Sequence, residues 1–115
     1  MLSFGDRTRI FLAAKHVDFR KGHFGLIGLV NNELDGDPLD GVWVFYNRRR
    51  TDLKLLWWSH GGFLLAHKKL SRGRLVLPAA DGTRVRMTAA ELAALLEGID
   101  LSKCRRLPRW NPPET

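Results

Sequence analysis

Residues 45–78 read "FYNRRRTDLKLLWWSHGGFLLAHKKLSRGRLVLP", and the order of apolar runs and polar turns in them decides the fold. Together with Val42 to Val44, the run "VWVFYN" (42–47) has strand composition. "RRRT" turns the chain, and "DLKLLWW" (52–58) is a second strand. "SHGG" (59–62) turns it back into a third, "FLLAHKKL" (63–70). "SRG" turns it again into "RLVLP" (74–78), stopped by Pro78. Short β-rich runs divided by Gly and polar turns predict an antiparallel meander. A turn at 59–62 sets Trp58 opposite Phe63, Lys54 near His67 and Asp52 near Lys69.

Successive strands reverse direction, so the turns at 48–51 and 71–73 share one end of the sheet. That end gathers Arg48, Arg49, Arg50, Lys68, Lys69, Arg72 and Arg74. The tryptophans, His60 and the Gly-Gly turn lie at the other end. A one-residue slip in pairing exchanges the faces of the sheet but not its ends.

The remaining segments supply the packing. "TRIFLAA" (8–14) reads as a short strand. In "DFRKGHFGLIGLVNNEL" (18–34), Phe19, His23, Leu26, Ile27, Val30 and Leu34 recur at the spacing of one helical face, with Asp18 as N-cap. Leu26, Ile27 and Val30 are expected to be buried, Arg20 and Lys21 exposed. Gly22, Gly25 and Gly28 each lower helix propensity by about 1 kcal/mol. Their spacing suggests close approach to the sheet. "DGDPLDG" (35–41) is a loop. "AADGTRVRM" holds a turn and a short strand. "TAAELAALLEGI" is a helix over 88–97 with a Thr88–Glu91 capping box and Gly98 at its end. The expectation is an α+β domain over 1–107, with an antiparallel sheet of about five strands and two packed helices. A flexible Pro-rich tail is expected at 108–115.

Composition narrows the function. The 115 residues suit one domain, and 44% hydrophobic content suits a folded one. Nineteen Lys and Arg against twelve Asp and Glu give +7, with a pI near 10.3. That surplus favours a polyanionic partner. Seven cations at one sheet end repel one another unless a counter-anion is present, and a phosphate backbone supplies one. An acidic protein partner and a merely solvated basic surface stand as alternatives. Cys104 is the only cysteine, so there is no internal disulfide, which fits a reducing cytoplasm. The charged start "MLSFGDRTRI" is followed by no signal-like apolar core, and no apolar run approaches the ~20 residues of a membrane span.

Signals for catalysis are absent. His16, His23, His60 and His67 make no HxH or HExxH spacing, and Asp35, Asp37 and Asp40 lack the Gly and Glu placement of a calcium loop. There is no phosphate-binding GxxxxGK[ST] loop and no GxSxG elbow. No metal or cofactor is expected. Trp57 and Trp58 point to opposite faces of their strand, one toward the core and the other nearer solvent.

"DFRKGHFGLIGLV", "VFYNRRRTDLKLLWW", "GGFLLAHKKLSRGRLVLP" and "MTAAELAALLEGID" occur in an order and spacing that resembles a known family. It is that of the TnpB accessory proteins, the second-open-reading-frame products of the bacterial insertion-sequence family numbered sixty-six. The resemblance covers about residues 8–107. Matching positions include Asp18, Arg20, Lys21, Gly22, Arg48, Arg49, Trp57, Trp58, Lys68, Arg72, Gly73, Pro78, Gly98 and Asp100. Ser59 stands where an acid is common, Ala66 and His67 where aromatics are, and Leu77 and Leu101 where Trp is. Fewer aromatics weaken base stacking as the main contact, and the basic positions are kept. The resemblance implies a small accessory factor of DNA transposition, beside a separate transposase that carries the catalytic acids. Three readings follow. The first is a non-enzymatic factor that contacts DNA, and the second an interaction module that binds the transposase or another accessory protein. The third is a small metal-dependent nuclease.

Overall fold

A computed structural model describes residues 4–5 and 7–98. Its elements run β1 (Ile10–Ala13), α1 (His23–Asn32), β2 (Val42–Tyr46), β3 (Asp52–Ser59), β4 (Gly62–Lys69), β5 (Arg84–Met87) and α2 (Ala89–Leu96). They form an α+β domain around one five-stranded sheet of order β4-β3-β2-β1-β5. The expected tail at 108–115 and Cys104 lie outside the described residues.

The hairpin of β3 and β4 has the expected register: Trp58 pairs with Phe63, Lys54 with His67 and Asp52 with Lys69. Its turn residues His60 and Gly61 both have positive φ, 43° and 90°. This is the backbone that two-residue hairpins use to match strand twist. β2 and β3 are also antiparallel. Every residue of β2 is buried, as a central strand covered on both faces requires.

The sheet is mixed rather than a pure meander. β1 inserts between β2 and β5, parallel to the first and antiparallel to the second. Parallel neighbours need a crossover, and α1 provides it. The segment 74–78 is a further correction, because it is not a sheet strand. It is held by one backbone bond, Leu75 N–H to the Arg50 carbonyl at 2.6 Å, and by burial of the Leu75 side chain. Strand composition without a ladder partner leaves it outside the sheet.

Alternate residues of β2 feed two cores on opposite faces. Trp43 and Phe45 pack with Leu56 and with Leu26, Val30 and Leu34 of the α1 segment. Val42 and Val44 pack with Leu53, Leu55, Ile10 and Leu12, beneath Leu92 and Leu95 of α2. α2 starts as expected: the Thr88 hydroxyl accepts the Glu91 N–H at 3.0 Å, and the Glu91 carboxylate accepts the Thr88 N–H at 2.9 Å.

α1 begins later than the apolar spacing predicts. It starts at His23, with Gly22 as an N-cap that offers no side chain, so Asp18 is not the cap. His23 is exposed and Ile27 only half-buried, while Leu26 and Val30 are buried as expected. The three helix glycines do not serve close approach to the sheet. A Cβ at Gly25 would meet only the Lys21 side chain, one at Gly28 only Asn32, and one at Gly22 nothing.

Candidate nucleic-acid interface

The turn between β2 and β3 is built by Asn47. Its side-chain oxygen accepts the N–H groups of Thr51 (2.9 Å) and Asp52 (3.1 Å), and its amide donates to the Thr51 hydroxyl (3.0 Å) and the Asp52 carboxylate (3.2 Å). Arg50 closes the turn at φ 58°, its N–H donating to the Asn47 carbonyl. Asn47 thus satisfies the turn backbone internally and leaves Arg48, Arg49 and Arg50 exposed.

Two backbone bonds bring the second basic segment to this turn. Leu70 N–H donates to the Thr51 carbonyl at 2.8 Å, and Leu75 N–H to the Arg50 carbonyl. Lys69, Arg72 and Arg74 are therefore exposed at the same sheet end as the three arginines. Lys68 belongs to that end but to the other face. Its ammonium donates to the Leu96 carbonyl at the C-terminus of α2, where helix carbonyls lack partners and favour a cation. Six of the seven expected cations are free of any such carbonyl, and the seventh stitches β4 to α2.

A buried lysine, not anticipated from the sequence, organises the opposite face. Lys54 is 7% exposed, and its ammonium donates to the carbonyls of Phe19 (2.7 Å) and Lys21 (3.0 Å). It also lies 4.8 Å from the centre of the Phe19 ring. A cation in that environment needs such partners. Gly22 between strap and helix is extended, φ −96° and ψ −157°, so α1 starts only at His23. The signal was strand parity: Lys54 shares a face with Leu56. Beside it, the His67 ring meets the Phe19 ring edge-on at 5.5 Å and bonds the Asp52 carboxylate at 2.7 Å.

These bonds fix residues 14–21 as a strap across the end of the sheet. Val17 N–H donates to the Tyr46 carbonyl (2.9 Å), and the Tyr46 hydroxyl to the Ala14 carbonyl (2.9 Å). Between strap and turn lies a groove of about 440 Å³ lined by His16 to Arg20 and by Asn47, Arg48 and Arg49. Within it, Asp18 accepts from the Arg20 Nε and Nη2 at 2.7–3.1 Å. Those hydrogen bonds push the Asp18 carboxyl down to about 2.

At the other end of the sheet, Trp57 is half-buried against Phe4 and Trp58 is 45% exposed against Phe63. Among the described residues, no three His, Cys, Asp or Glu side chains gather as a metal ion would require. Also among them, no helix is long and apolar enough to cross a membrane.

A small α+β domain with a basic turn cluster and a strap-bounded groove is the class that fold and site define. Residues 8–106 match the family model described as IS66 Orf2 like protein, and the chain belongs to that family, one of insertion-sequence accessory proteins. It is 40% identical over 101 residues to the uncharacterized protein y4hO of Sinorhizobium fredii (strain NBRC 101917 / NGR234), covering 87% of this chain and 88% of that one. It is 33% identical over 105 residues to the uncharacterized protein y4jC of the same strain, covering 90% of each. No solved structure matches the chain.

Proposed function

We propose that this protein is a non-enzymatic accessory factor that acts in the cytoplasm and supports transposition of its insertion sequence by holding DNA through the basic sheet end. One observation carries the reading. The Leu70–Thr51 and Leu75–Arg50 backbone bonds draw two separate basic segments to one place. Arg48, Arg49, Arg50, Lys69, Arg72 and Arg74 are all exposed there, and Lys68 supports them by anchoring β4. Clustered cations gain by displacing the counterions of a phosphate backbone, whatever its sequence. A pull-down of the element's transposase, with and without DNA of the element's ends, tests the role. Capture that depends on the DNA supports it.

A second reading has its own observation. Trp58 and Leu64 are 45% and 49% exposed at the far end of the β3–β4 hairpin. Exposed aromatic and aliphatic side chains suit a protein contact. On this reading the protein binds the transposase or another accessory protein and never touches DNA. DNA-independent capture, lost on Trp58→Ala, selects it.

A further inference from the structure

We propose that the groove between the 16–20 strap and the β2–β3 turn seats the phosphodiester backbone of a nucleic acid, with Arg20 as a third guanidinium beside Arg48 and Arg49. This deepens the DNA reading above and rests on it. The groove adds a residue that lies far from the basic turns in the sequence, and it gives the contact a direction across the sheet end.

Charge comes first. Three guanidiniums line the groove, against one carboxylate, Asp18. That carboxylate is gripped on both oxygens by Arg20, so the pair is close to neutral, and Arg48 and Arg49 carry the groove's net positive charge. The grip uses Nε and one terminal nitrogen of Arg20. A guanidinium carries five N–H groups, so donors remain for a second partner. The Arg20 side chain is 92% exposed, and Asp18 fixes its plane. A planar fork already oriented toward solvent is the form in which arginine takes phosphate oxygens in pairs.

Rigidity comes second. One wall is the strap, held by the Val17–Tyr46 bond and by Lys54 on the Phe19 and Lys21 carbonyls. The other is the turn, held by Asn47. Neither wall has to be ordered when an anion arrives, which removes much of the usual cost of binding.

Shape comes third. About 440 Å³ is more than a lone ion needs and falls within the ~300–1,000 Å³ range of ligand pockets. Exposed side chains stand on both walls, so a linear polyanion can lie along the groove without a closed end. The cavity on the other side of the strap has similar volume, but Lys15 and Lys21 there face Glu33 and the Arg20-paired Asp18, and no guanidinium lines it. It has no comparable bias toward an anion.

The test uses the full chain, heteronuclear NMR, inorganic pyrophosphate and a short mixed-sequence DNA duplex. Pyrophosphate is expected to shift the signals of Val17, Arg20, Asn47 and Arg48, and to compete with the duplex. Arg20→Ala is expected to abolish those shifts, weaken duplex binding roughly tenfold and flatten its salt slope by about 0.9. Arg20→Lys keeps the charge but not the fork, and should recover only part of the affinity. Folding should survive because the side chain is exposed. Pyrophosphate shifts centred on Arg72 and Arg74, or on Lys15 and Lys21, overturn the proposal. So does duplex binding by Arg20→Ala equal to wild type. In that case, weakening by Arg49→Ala with Lys69→Ala leaves the broader DNA reading standing. Pyrophosphate in the groove with no duplex binding at all overturns both.

Discussion

The ammonium of Lys54 lies 2.7 Å from the carbonyl oxygen of Phe19, although Lys54 sits in the middle of a sheet strand and is 7% exposed. This bond joins the strap to the basic hairpin. Lys54→Met keeps the apolar stem and removes the donor. It leaves the Phe19 and Lys21 carbonyls without their partner, which is expected to cost about 1–3 kcal/mol in a denaturant titration. A loss below about 0.5 kcal/mol, the range of ordinary surface changes, would contradict an anchoring role.

Acid should weaken the fold through Asp52. The Thr51 hydroxyl at 2.5 Å, and after it the His67 ring at 2.7 Å, hold its carboxyl below the usual carboxylate range. The folded state therefore prefers the ionised form. The stabilisation is present above the unfolded value of about 3.9 and is lost as pH falls through the lower folded value. Asp18, pushed down to about 2 by Arg20, acts in the same direction. Denaturant titrations from about pH 7 down to about pH 2 should show stability falling below about pH 4, and less steeply for Asp52→Asn. Equal slopes for the two proteins would contradict this assignment.

Gly41 marks the start of the parallel pair. Its φ is +72°, and a Cβ there would lie 2.1 Å from the Arg9 carbonyl oxygen, which accepts the Val42 N–H at 2.8 Å. Gly41→Ala combines a left-handed backbone with a backbone clash and should cost about 2–5 kcal/mol. Gly61→Ala, at φ +90° in open space, should cost only about 1–2 kcal/mol. Equal losses in parallel titrations would mean that the clash at Arg9 is relieved cheaply.

Local chemistry made the β3–β4 hairpin legible. Its polar Gly-containing turn fixes a register in which Trp58 meets Phe63, and that register carries the basic residues to one end. Distant partners decided what was not legible. Nothing in "TRIFLAA" says that it runs parallel to β2, because pairing direction depends on a crossover 28 residues long between Ala13 and Val42. "RLVLP" has the composition of a strand but no ladder to join. The spacing from Phe19 to Leu26 fits a helix, yet Gly22 is extended and interrupts it. Lys68 and Lys69 look equivalent in the sequence. Strand alternation sends one to the C-terminus of α2 and leaves the other exposed on the face of Asp52. Arg20 joins the basic turns only because contacts with Tyr46 and Lys54, distant in the sequence, carry the strap across the sheet end.

Salt dependence of DNA binding tests the central claim most directly. If about five phosphates are neutralised at the basic sheet end, log K should fall against log salt with a slope near roughly −4.5. Arg49→Ala together with Lys69→Ala should weaken binding to all sequences alike and flatten that slope by about 2. Fluorescence anisotropy across a salt series, on wild type and the double variant, measures both. A wild-type protein that binds no DNA in a salt-sensitive way, or a double variant with an unchanged slope, would contradict the claim.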